Sequence, residues 1–144
     1  MGVLDALDTG TGALKAQGLR LDVHAKNVAN VDTPNYVRKI PILNATKEST
    51  FAGIMTDMEG GITAGGFLKG GVAFTGVIED PNLGEKIYKP GHPDADADGY
   101  IRASNVNPAV DMADAILAQR AYEANLALIN ITKAMAQRAV EIGR

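Results

Sequence analysis

An apolar stripe at alternating steps of three and four runs along the first thirty residues. This spacing keeps one side of a helix against a partner helix, so it predicts a helix over residues 3–30. Gly10, Gly12 and Gly18 lie inside this helix, and each costs about 1 kcal/mol relative to alanine in a helix interior. We therefore expect the helix to become stable on association, where small residues let a neighbouring backbone come close. The stripe consists of Leu4, Leu7, Thr11, Leu14, Gly18, Leu21, Ala25 and Val28.

The last part of the chain repeats the pattern. Asn107 followed by Pro108 is typical of a helix start, and Asp111 lies near the positive end of the helix dipole. This helix is predicted to run to about Ile142. A second apolar band beside the main stripe indicates two neighbours, which favours a superhelical array over a simple dimer. The main stripe is Leu117, Ala121, Ala124, Leu128, Ile131 and Met135, and the second band is Met112, Ile116, Leu126 and Ile129.

Between the helices the pattern changes to short alternating segments. Pro34, within an Asn- and Asp-rich stretch, predicts a turn that ends the first helix. Alternation from Tyr36 to Ile40 predicts a short strand closed by Pro41. Further strands are predicted over residues 72–74, 76–79 and 86–89. We therefore expect a small sheet in the middle of a mainly helical chain.

Glycine pairs mark the centre of this middle region. They predict a flexible loop or a conformable contact surface, because paired glycines raise the entropy cost of ordering the backbone. The chain is thus expected to have an N-terminal helix over residues 1–30 and a C-terminal helix over residues 108–144. Residues 31–107 between them hold the turn, the strands and the glycine-rich segment. The pairs are Gly60–Gly61, Gly65–Gly66 and Gly70–Gly71, with Ile62, Phe67 and Leu68 near them.

Composition narrows the class of function. Aromatic residues make up only 5% of the 144 residues and tryptophan is absent, so few large side chains can fill a globular interior. The net charge of −3 argues against nucleic acid as a partner, and the absence of cysteine removes disulfide and thiolate chemistry. No apolar run approaches the roughly 20 residues that span a bilayer. Asp5 and Asp8 stand where a secretory signal is positively charged, so no cleavable signal peptide is expected.

The strongest candidate for ion chemistry is the segment Asp94–Ile101. Its Asp94, Asp96, Asp98 and Gly99 match positions of a calcium loop, but Asn105 stands where the loop needs a bidentate glutamate. A turn whose aspartates cap their own backbone is the favoured interpretation, with calcium binding as the alternative.

Other catalytic and metal-binding patterns are lacking. The two histidines, His24 and His92, are far apart in sequence, and Ser49 and Ser104 stand in polar loops without a nucleophile motif. The sequence therefore predicts no catalytic residue, no metal ligand and no cofactor, and it disfavours an enzyme.

The segment Arg120–Asn125 allows two interpretations. It is either an ordinary solvated helix surface or a specific contact between helices, in which Tyr122 and Asn125 fix the register. Spacing alone does not separate the two.

Three segments resemble the axial proteins of the bacterial flagellum, the rod and hook family. Residues Asn27–Tyr36 are similar to its N-terminal signature, an Asn-x-Ala-Asn segment followed by a Thr-x-x-Tyr-type turn. Residues 120–125 resemble the Arg-x-Tyr-x-x-Asn of its C-terminal helix, and the block over residues 88–107 resembles a proximal rod subunit. Two positions depart from the pattern: Asn35 replaces a common glycine, and Asp111 replaces a common glutamate.

The resemblance implies a fold and a function. The fold is mainly α, with long terminal helices packed as an antiparallel, coiled-coil-like pair in a helical tube and a small β-rich, glycine-rich middle facing outward. The function is a structural, torque-transmitting subunit of the proximal rod of the flagellar basal body; the alternatives are another rod subunit, or a calcium-binding or small-ligand module at Asp94–Gly99. The expected packing and assembly residues are Leu4, Leu7, Leu14, Leu21, Val28, Asn30, Tyr36, Leu117, Arg120, Tyr122, Asn125, Leu128, Ile131 and Met135.

Location and partners follow from the same resemblance. It implies export in an unfolded state through the flagellar type III apparatus, without a cleaved signal peptide, and polymerisation in the periplasm. The implied partners are copies of the chain, other rod proteins, and the membrane ring and export apparatus at the rod base. Glycine-weakened terminal helices suit a subunit that stays unpaired until it reaches its assembly site.

Overall fold

The computed structural model describes residues 3–46 and 70–142, in which two long helices enclose four short strands along the chain. This arrangement confirms the predicted mainly helical fold with a small β-rich middle. The helix bounds agree with the predicted ones to within one residue. The elements are α1 (Val3–Ala29), β1 (Lys39–Thr46), β2 (Gly71–Glu79), β3 (Lys86–Tyr88), β4 (Tyr100–Arg102) and α2 (Pro108–Ile142).

The two helices pack against each other in antiparallel fashion. His24, near the end of α1, is hydrogen-bonded to Asp111 at the start of α2, whereas Gly10, near the other end of α1, faces Ile129. A Cβ atom added at Gly10 would lie 2.9 Å from Cγ1 of Ile129, so the close approach depends on the missing side chain. This confirms the expectation that small residues in α1 let a neighbouring helix come close.

The face of α2 that contacts α1, here called the seam, is built from small and polar residues. Among the described elements α2 packs only against α1, so its covered positions identify the contact face. Asp111 and Ala118 are fully buried, and the other seam residues are partly buried. One chain therefore joins its helices without using its leucines on α2. The seam consists of Asp111, Asp114, Ala115, Ala118, Ala121, Asn125, Ile129, Thr132 and Ala136, of which only Ile129 is a large apolar residue.

Strands β1 and β2 form an antiparallel hairpin that packs on α1. Its register pairs Lys39 with Glu79 and Thr46 with Gly71, and an irregularity lies between Ile42 and Leu43. The irregularity accommodates Thr75, which falls between the partners of Ile42 and Leu43 and has no partner of its own. The two strands predicted over residues 72–74 and 76–79 are thus a single bulged strand.

The prediction that Pro41 closes the first strand was wrong. Strand β1 begins at Lys39, three residues later than predicted, and continues through Pro41 to Thr46. The backbone N–H and C=O of Lys39 bond to Asn27 and therefore point away from β2. Because orientation repeats every two residues in a strand, the nitrogen of Pro41 points the same way. The missing N–H removes no hydrogen bond between β1 and β2, so the strand tolerates the proline.

Strands β3 and β4 form a second, shorter antiparallel hairpin. β3 ends at Tyr88, one residue earlier than predicted, and β4 was not predicted at all. Ile101 of β4 is buried, whereas Tyr88 and Tyr100 stack edge to face with centroids 5.2 Å apart on the exposed side. The predictions for the glycine pairs at 60–61 and 65–66, and for Ile62, Phe67 and Leu68, lie outside the described residues.

Neither helix in the described parts of the chain is both long enough and apolar enough to cross a lipid bilayer.

Candidate assembly surface and its buried anchor

The large apolar residues of the predicted main stripe of α2 lie on the outside of the helix pair, whereas Ala121 of the stripe lies in the seam. Leu128 is 60% exposed and Met135 is 65% exposed, and Leu117 and Ile131 are similar. Each of these four residues directly precedes a residue of the seam, which places it about 100° around the helix from α1. A single chain therefore leaves a row of large apolar side chains uncovered along α2. We call Leu117, Leu128, Ile131 and Met135 the outer row.

The stripe on α1 is more covered. Leu7, Leu14, Leu21 and Val28 are half-buried along the flank of the contact with α2. Leu4 lies in the first turn of the same helix. Leu7, Leu14, Leu21 and Val28 thus support the intramolecular pair and still present part of their apolar surface to the outside.

The three marked residues of the segment 120–125 point in different directions. Asn125 lies in the seam, and a Cβ atom at Gly18 of α1 would be 4.0 Å from the ring of Tyr122. Arg120, by contrast, is exposed. The structure thus brings Tyr122 and Asn125 to the side of α1 and leaves Arg120 at the surface, where it is available to a partner.

A buried carboxylate anchors the end of the helix pair. Asp111, in the first turn of α2, is 0% exposed. Its Oδ1 lies 2.8 Å from Nδ1 of His24 and accepts a hydrogen bond from Asn27 Nδ2 at 3.0 Å. Arg38 donates from Nε to Oδ2 at 2.7 Å and from Nη2 to Oδ1 at 3.3 Å, which is a bidentate contact. One carboxylate therefore joins α1, α2 and the residues that lead into β1.

Asn27 completes this anchor. Its side chain is 0% exposed and pairs with the backbone of Lys39 like a neighbouring strand, donating to the carbonyl at 2.7 Å and accepting from the N–H at 3.0 Å. Its Oδ1 also accepts a hydrogen bond from the hydroxyl of Tyr36 at 3.1 Å. Both ends of the amide are thus satisfied, as a buried polar group requires.

The electrostatics of the anchor favour the ionised form of Asp111. Burial opposes ionisation, but the hydrogen bonds from Arg38, His24 and Asn27 outweigh it, so the pKa of Asp111 lies below its usual value. The same hydrogen bond from Arg38 to Asp111 raises the pKa of Arg38. Burial, together with the nearby charge of Asp111, raises the pKa of Tyr36. The anchor is therefore an ion pair at neutral pH.

The turn after α1 is held by side chains of the Asn27–Tyr36 signature. Asn30 donates from Nδ2 to the carbonyl of Lys26 at 2.8 Å, and its Oδ1 accepts from the hydroxyl of Thr33 at 3.1 Å. The first bond adds to the one that the carbonyl of Lys26 accepts from the backbone N–H of Asn30 at 3.2 Å, and the second closes the turn. The signature is thus a device that ends α1 and directs the chain into β1.

Known families match both ends of the chain. The family described as "Flagella basal body rod protein" matches residues 7–36, which contain most of α1 and the turn. The family described as "Flagellar basal body rod FlgEFG protein C-terminal" matches residues 97–142, which contain β4 and α2. The matched segments therefore contain most of both helices and, of the anchor, His24, Asn27, Tyr36 and Asp111, but not Arg38.

Whole-chain relatives decide between the members of this group. The chain is 35% identical over 154 aligned positions to the "Flagellar basal-body rod protein FlgC" of Bacillus subtilis (strain 168), with 100% of both chains covered. It is 33% identical over 144 positions, again with full coverage, to proteins of the same name from Yersinia enterocolitica and Salmonella typhimurium. This chain belongs to the FlgC family of flagellar basal-body rod proteins.

Membership of the FlgC family makes the chain a structural protein of the flagellar rod, and it confirms the resemblance that the sequence motifs indicated. The relatives are named as rod proteins, and those names assign no catalytic activity.

One departure from the family pattern has a structural explanation at Asn35. Its φ of 61° lies in the left-handed region, where glycine is the usual residue and asparagine is tolerated. Its backbone N–H donates to the carbonyl of Arg102 at 2.8 Å, and its side-chain oxygen accepts from the N–H of Arg102 at 3.1 Å. Asparagine therefore keeps the turn geometry and ties it to β4, which glycine cannot do through a side chain.

Sequence reasoning missed the anchor, because its members looked ordinary one by one. In the sequence, the helix dipole alone accounts for Asp111. Arg38 belongs to the alternating segment from Tyr36 to Ile40, and His24 matches no motif. A usable signal existed in the spacing: Asp111 lies seven residues, two turns, before Ala118 and so shares its buried face. A charged residue on a buried face requires partners, and the Asn27 signature was the nearest source of them.

The aspartate-rich loop caps its own backbone. Oδ1 of Asp96 accepts hydrogen bonds from the N–H groups of Asp98 at 3.1 Å and Tyr100 at 2.8 Å. Gly99 has a φ of 79°, as this turn requires. Within residues 3–46 and 70–142, no three histidine, cysteine or acidic residues are grouped so that they could hold a metal ion. The geometry is that of the favoured interpretation, a self-capped turn.

Proposed function

We propose that this chain is a subunit of the proximal rod and polymerises through α1 and α2 into the shaft that transmits torque. The two helices form the core that faces the lumen, and residues 31–107 lie on the outer side. The observation that carries the proposal is the outer row of α2, four large apolar side chains that are each more than half exposed. The proposed role is mechanical and involves no catalytic step.

Burial energetics support assembly through the outer row. Full burial of a leucine-sized side chain stabilises by about 1.5–3 kcal/mol, so covering four half-exposed side chains contributes substantially to each contact. In the proposed shaft the partner surface is a different surface on the next subunit, because two identical rows packed together would close a symmetric dimer. Contacts between two different surfaces generate open helical assemblies, which is the geometry of a rod.

The proposed surroundings follow from this role. The partners are copies of this chain, other rod proteins of the basal body, and the membrane ring and export apparatus at the base of the rod. The place of assembly is the periplasm, after type III export of the unfolded chain. Three glycines inside α1 support this route, because they weaken the helix before it finds its partner.

The test is the substitution Leu128→Asp. A charge in the outer row must be desolvated when subunits pack, so we expect loss of rod assembly and of swimming. The matched control is Asn130→Asp, which adds the same charge two positions further, about 200° around α2, at another exposed site. The readouts are the swimming diameter in soft agar and electron microscopy of isolated basal bodies. Normal swimming by the Leu128→Asp strain would contradict the proposal.

A further inference from the structure

A groove runs between α1 and the first hairpin. It has a volume of about 650 Å³, which is within the range of binding cavities in proteins. Its walls are mainly apolar, and four of its lining residues are glycine or alanine, so it is wide for its length. We call it the α1–hairpin groove, lined by Gly12, Ala16 and Leu19 of α1 and by Val72, Ala73 and Phe74 of β2.

The groove opens on the side of α1 that is turned away from α2. Gly10 faces α2, and Gly12 lies two positions further, about 200° around the helix. Lys15, which also lines the groove, lies nine residues before His24 and so on the opposite side of the helix from the anchor. The α2 of the same chain therefore cannot reach the groove.

We infer that the α1–hairpin groove receives the outer row of α2 from a second copy of this chain. The inference rests on the proposed function and specifies which two surfaces meet. The outer row presents large apolar side chains that project from α2. The α1–hairpin groove is a hollow whose lining includes four small residues. Because the two surfaces differ, each copy offers one of each, and the contact repeats from copy to copy without closing.

The dimensions of the two surfaces agree. The groove follows α1 from Asp8 to Leu19, eleven residues or about 16 Å, and so accommodates Leu128, Ile131 and Met135 of the outer row, which span about 10 Å. Leu117 lies about 16 Å further along α2, beyond the end of the groove. In an array along one axis all copies point the same way, so the second copy's α2 runs antiparallel to α1. Met135 then lies at the end of the groove marked by Asp8, and Ile131 lies near Gly12.

Charge agrees with this alignment. Arg138 follows Met135 by one turn of α2 and is exposed, and among the described residues it forms no ion pair. The alignment brings it to the end of the groove at which Asp8 stands. Opposite charges at the rim of an interface favour the correct register, and their contribution is screened by salt.

Disulfide trapping tests the contact, since the chain has no cysteine of its own. Gly12→Cys chains and Ile131→Cys chains are produced together in the flagellated host from which the native gene is deleted, and basal bodies are isolated and oxidised. A Cβ atom at Gly12 meets only the carbonyl of Val72, at 3.9 Å, so a cysteine fits there. We expect a disulfide-linked dimer of the two variants, because a disulfide requires Cα atoms within about 7 Å.

The matched control pairs Gly12→Cys with Lys133→Cys. Lys133 is also exposed, but it lies about 200° around α2 from Ile131. We expect at least tenfold less dimer from this pair. Equal yields from the two pairs would overturn the inference.

A second occupant is tested in the same way. Thr46 and Gly71 line the groove, so the chain enters and leaves residues 47–69 beside it. A disulfide formed within one Gly12→Cys/Phe67→Cys chain, in place of the dimer, assigns the groove to the chain's own segment and overturns the inference.

A substitution that leaves α1 helical separates docking from folding. Gly12→Leu improves helix propensity and places a large side chain in the groove. We expect loss of assembled rod with unchanged or increased helicity by circular dichroism. Normal assembly by Gly12→Leu overturns the inference, whereas the proposed function fails only if Leu128→Asp also assembles normally.

Discussion

At the scale of single residues, Asp111 has the widest effect. Its carboxylate is buried, and it binds donors from α1 and from the segment before β1 while belonging to α2. Removing a partner from a buried ion pair costs about 3–5 kcal/mol, because the remaining charge stays buried without compensation. If Asp111 lost its charge, Arg38 would keep only its looser contacts with Asp80 at 3.9 Å and Asp114 at 3.8 Å.

This anchor predicts a pH dependence of folding. The pKa of Asp111 in the folded chain lies below its ordinary value of 3.8, so the unfolded chain binds the proton more readily. The stabilisation is therefore complete well above that value and is lost as pH falls towards and through the folded pKa. We expect the sucrose concentration needed to fold the chain, followed by circular dichroism, to rise as pH falls below about 4.

Two substitutions separate this anchor from general acid effects. Asp111→Asn should raise the sucrose concentration needed to fold the chain at neutral pH. In this variant that concentration should then rise less as pH falls. Asp114→Asn is the matched control on the same turn of α2, because Asp114 is partly exposed and approaches Arg38 only to 3.8 Å. If both variants behave alike, Asp111 is not the controlling carboxylate.

At the scale of elements, periodicity predicted the two helices but left open which neighbour covers each of their faces. Steps of three and four identify residues that share a side of a helix, and Asn107 caps α2 as predicted, accepting hydrogen bonds from Ala109 and Val110. Periodicity does not say what covers that side. In α2 the leucine-rich side faces outward and the alanine- and asparagine-containing side meets α1.

The strands, too, depend on contacts with residues that are distant in sequence. β1 depends on Asn27 and on pairing with residues of β2 that lie 25 to 40 positions away, so no local pattern reveals that it passes through Pro41. β4 has three residues and is defined by its pairing with β3. Such elements are fixed by partners and not by propensity.

The glycines of α1 give a prediction at this scale. Gly10→Ala and Gly12→Ala improve helix propensity equally, by about 1 kcal/mol in an isolated helix. In the folded pair, a Cβ atom at Gly10 meets Ile129 at 2.9 Å, whereas Gly12 is open. We expect Gly12→Ala to lower the sucrose concentration needed to fold the chain. Gly10→Ala should leave that concentration unchanged or raise it. Equal shifts would show that α1 and α2 do not approach closely at Gly10.

At the scale of the whole molecule, a single chain has little core. The buried apolar residues among those described are Ala16, Val23, Ile101, Val106 and Ala118. Small cores leave little net stability once the entropy of the ordered chain is subtracted. The remaining apolar surface lies on the outside, where other subunits can cover it.

The chain alone should therefore be weakly folded. We expect purified protein at low concentration to show low helicity by circular dichroism, and helicity should rise with assembly, because the helices gain their stability from packing. A cooperative, fully helical monomer would contradict this coupling of folding to assembly.

The position of Asp111 also determines how a force travels through one subunit. Sliding α1 past α2 would break the bonds that His24 and Asn27 of α1 make to the carboxylate of Asp111 on α2. Because both bonds end on the same oxygen of one carboxylate, they resist such sliding together. The subunit is thereby stiff against relative sliding at the one end of the pair where the chain passes between helix and hairpin.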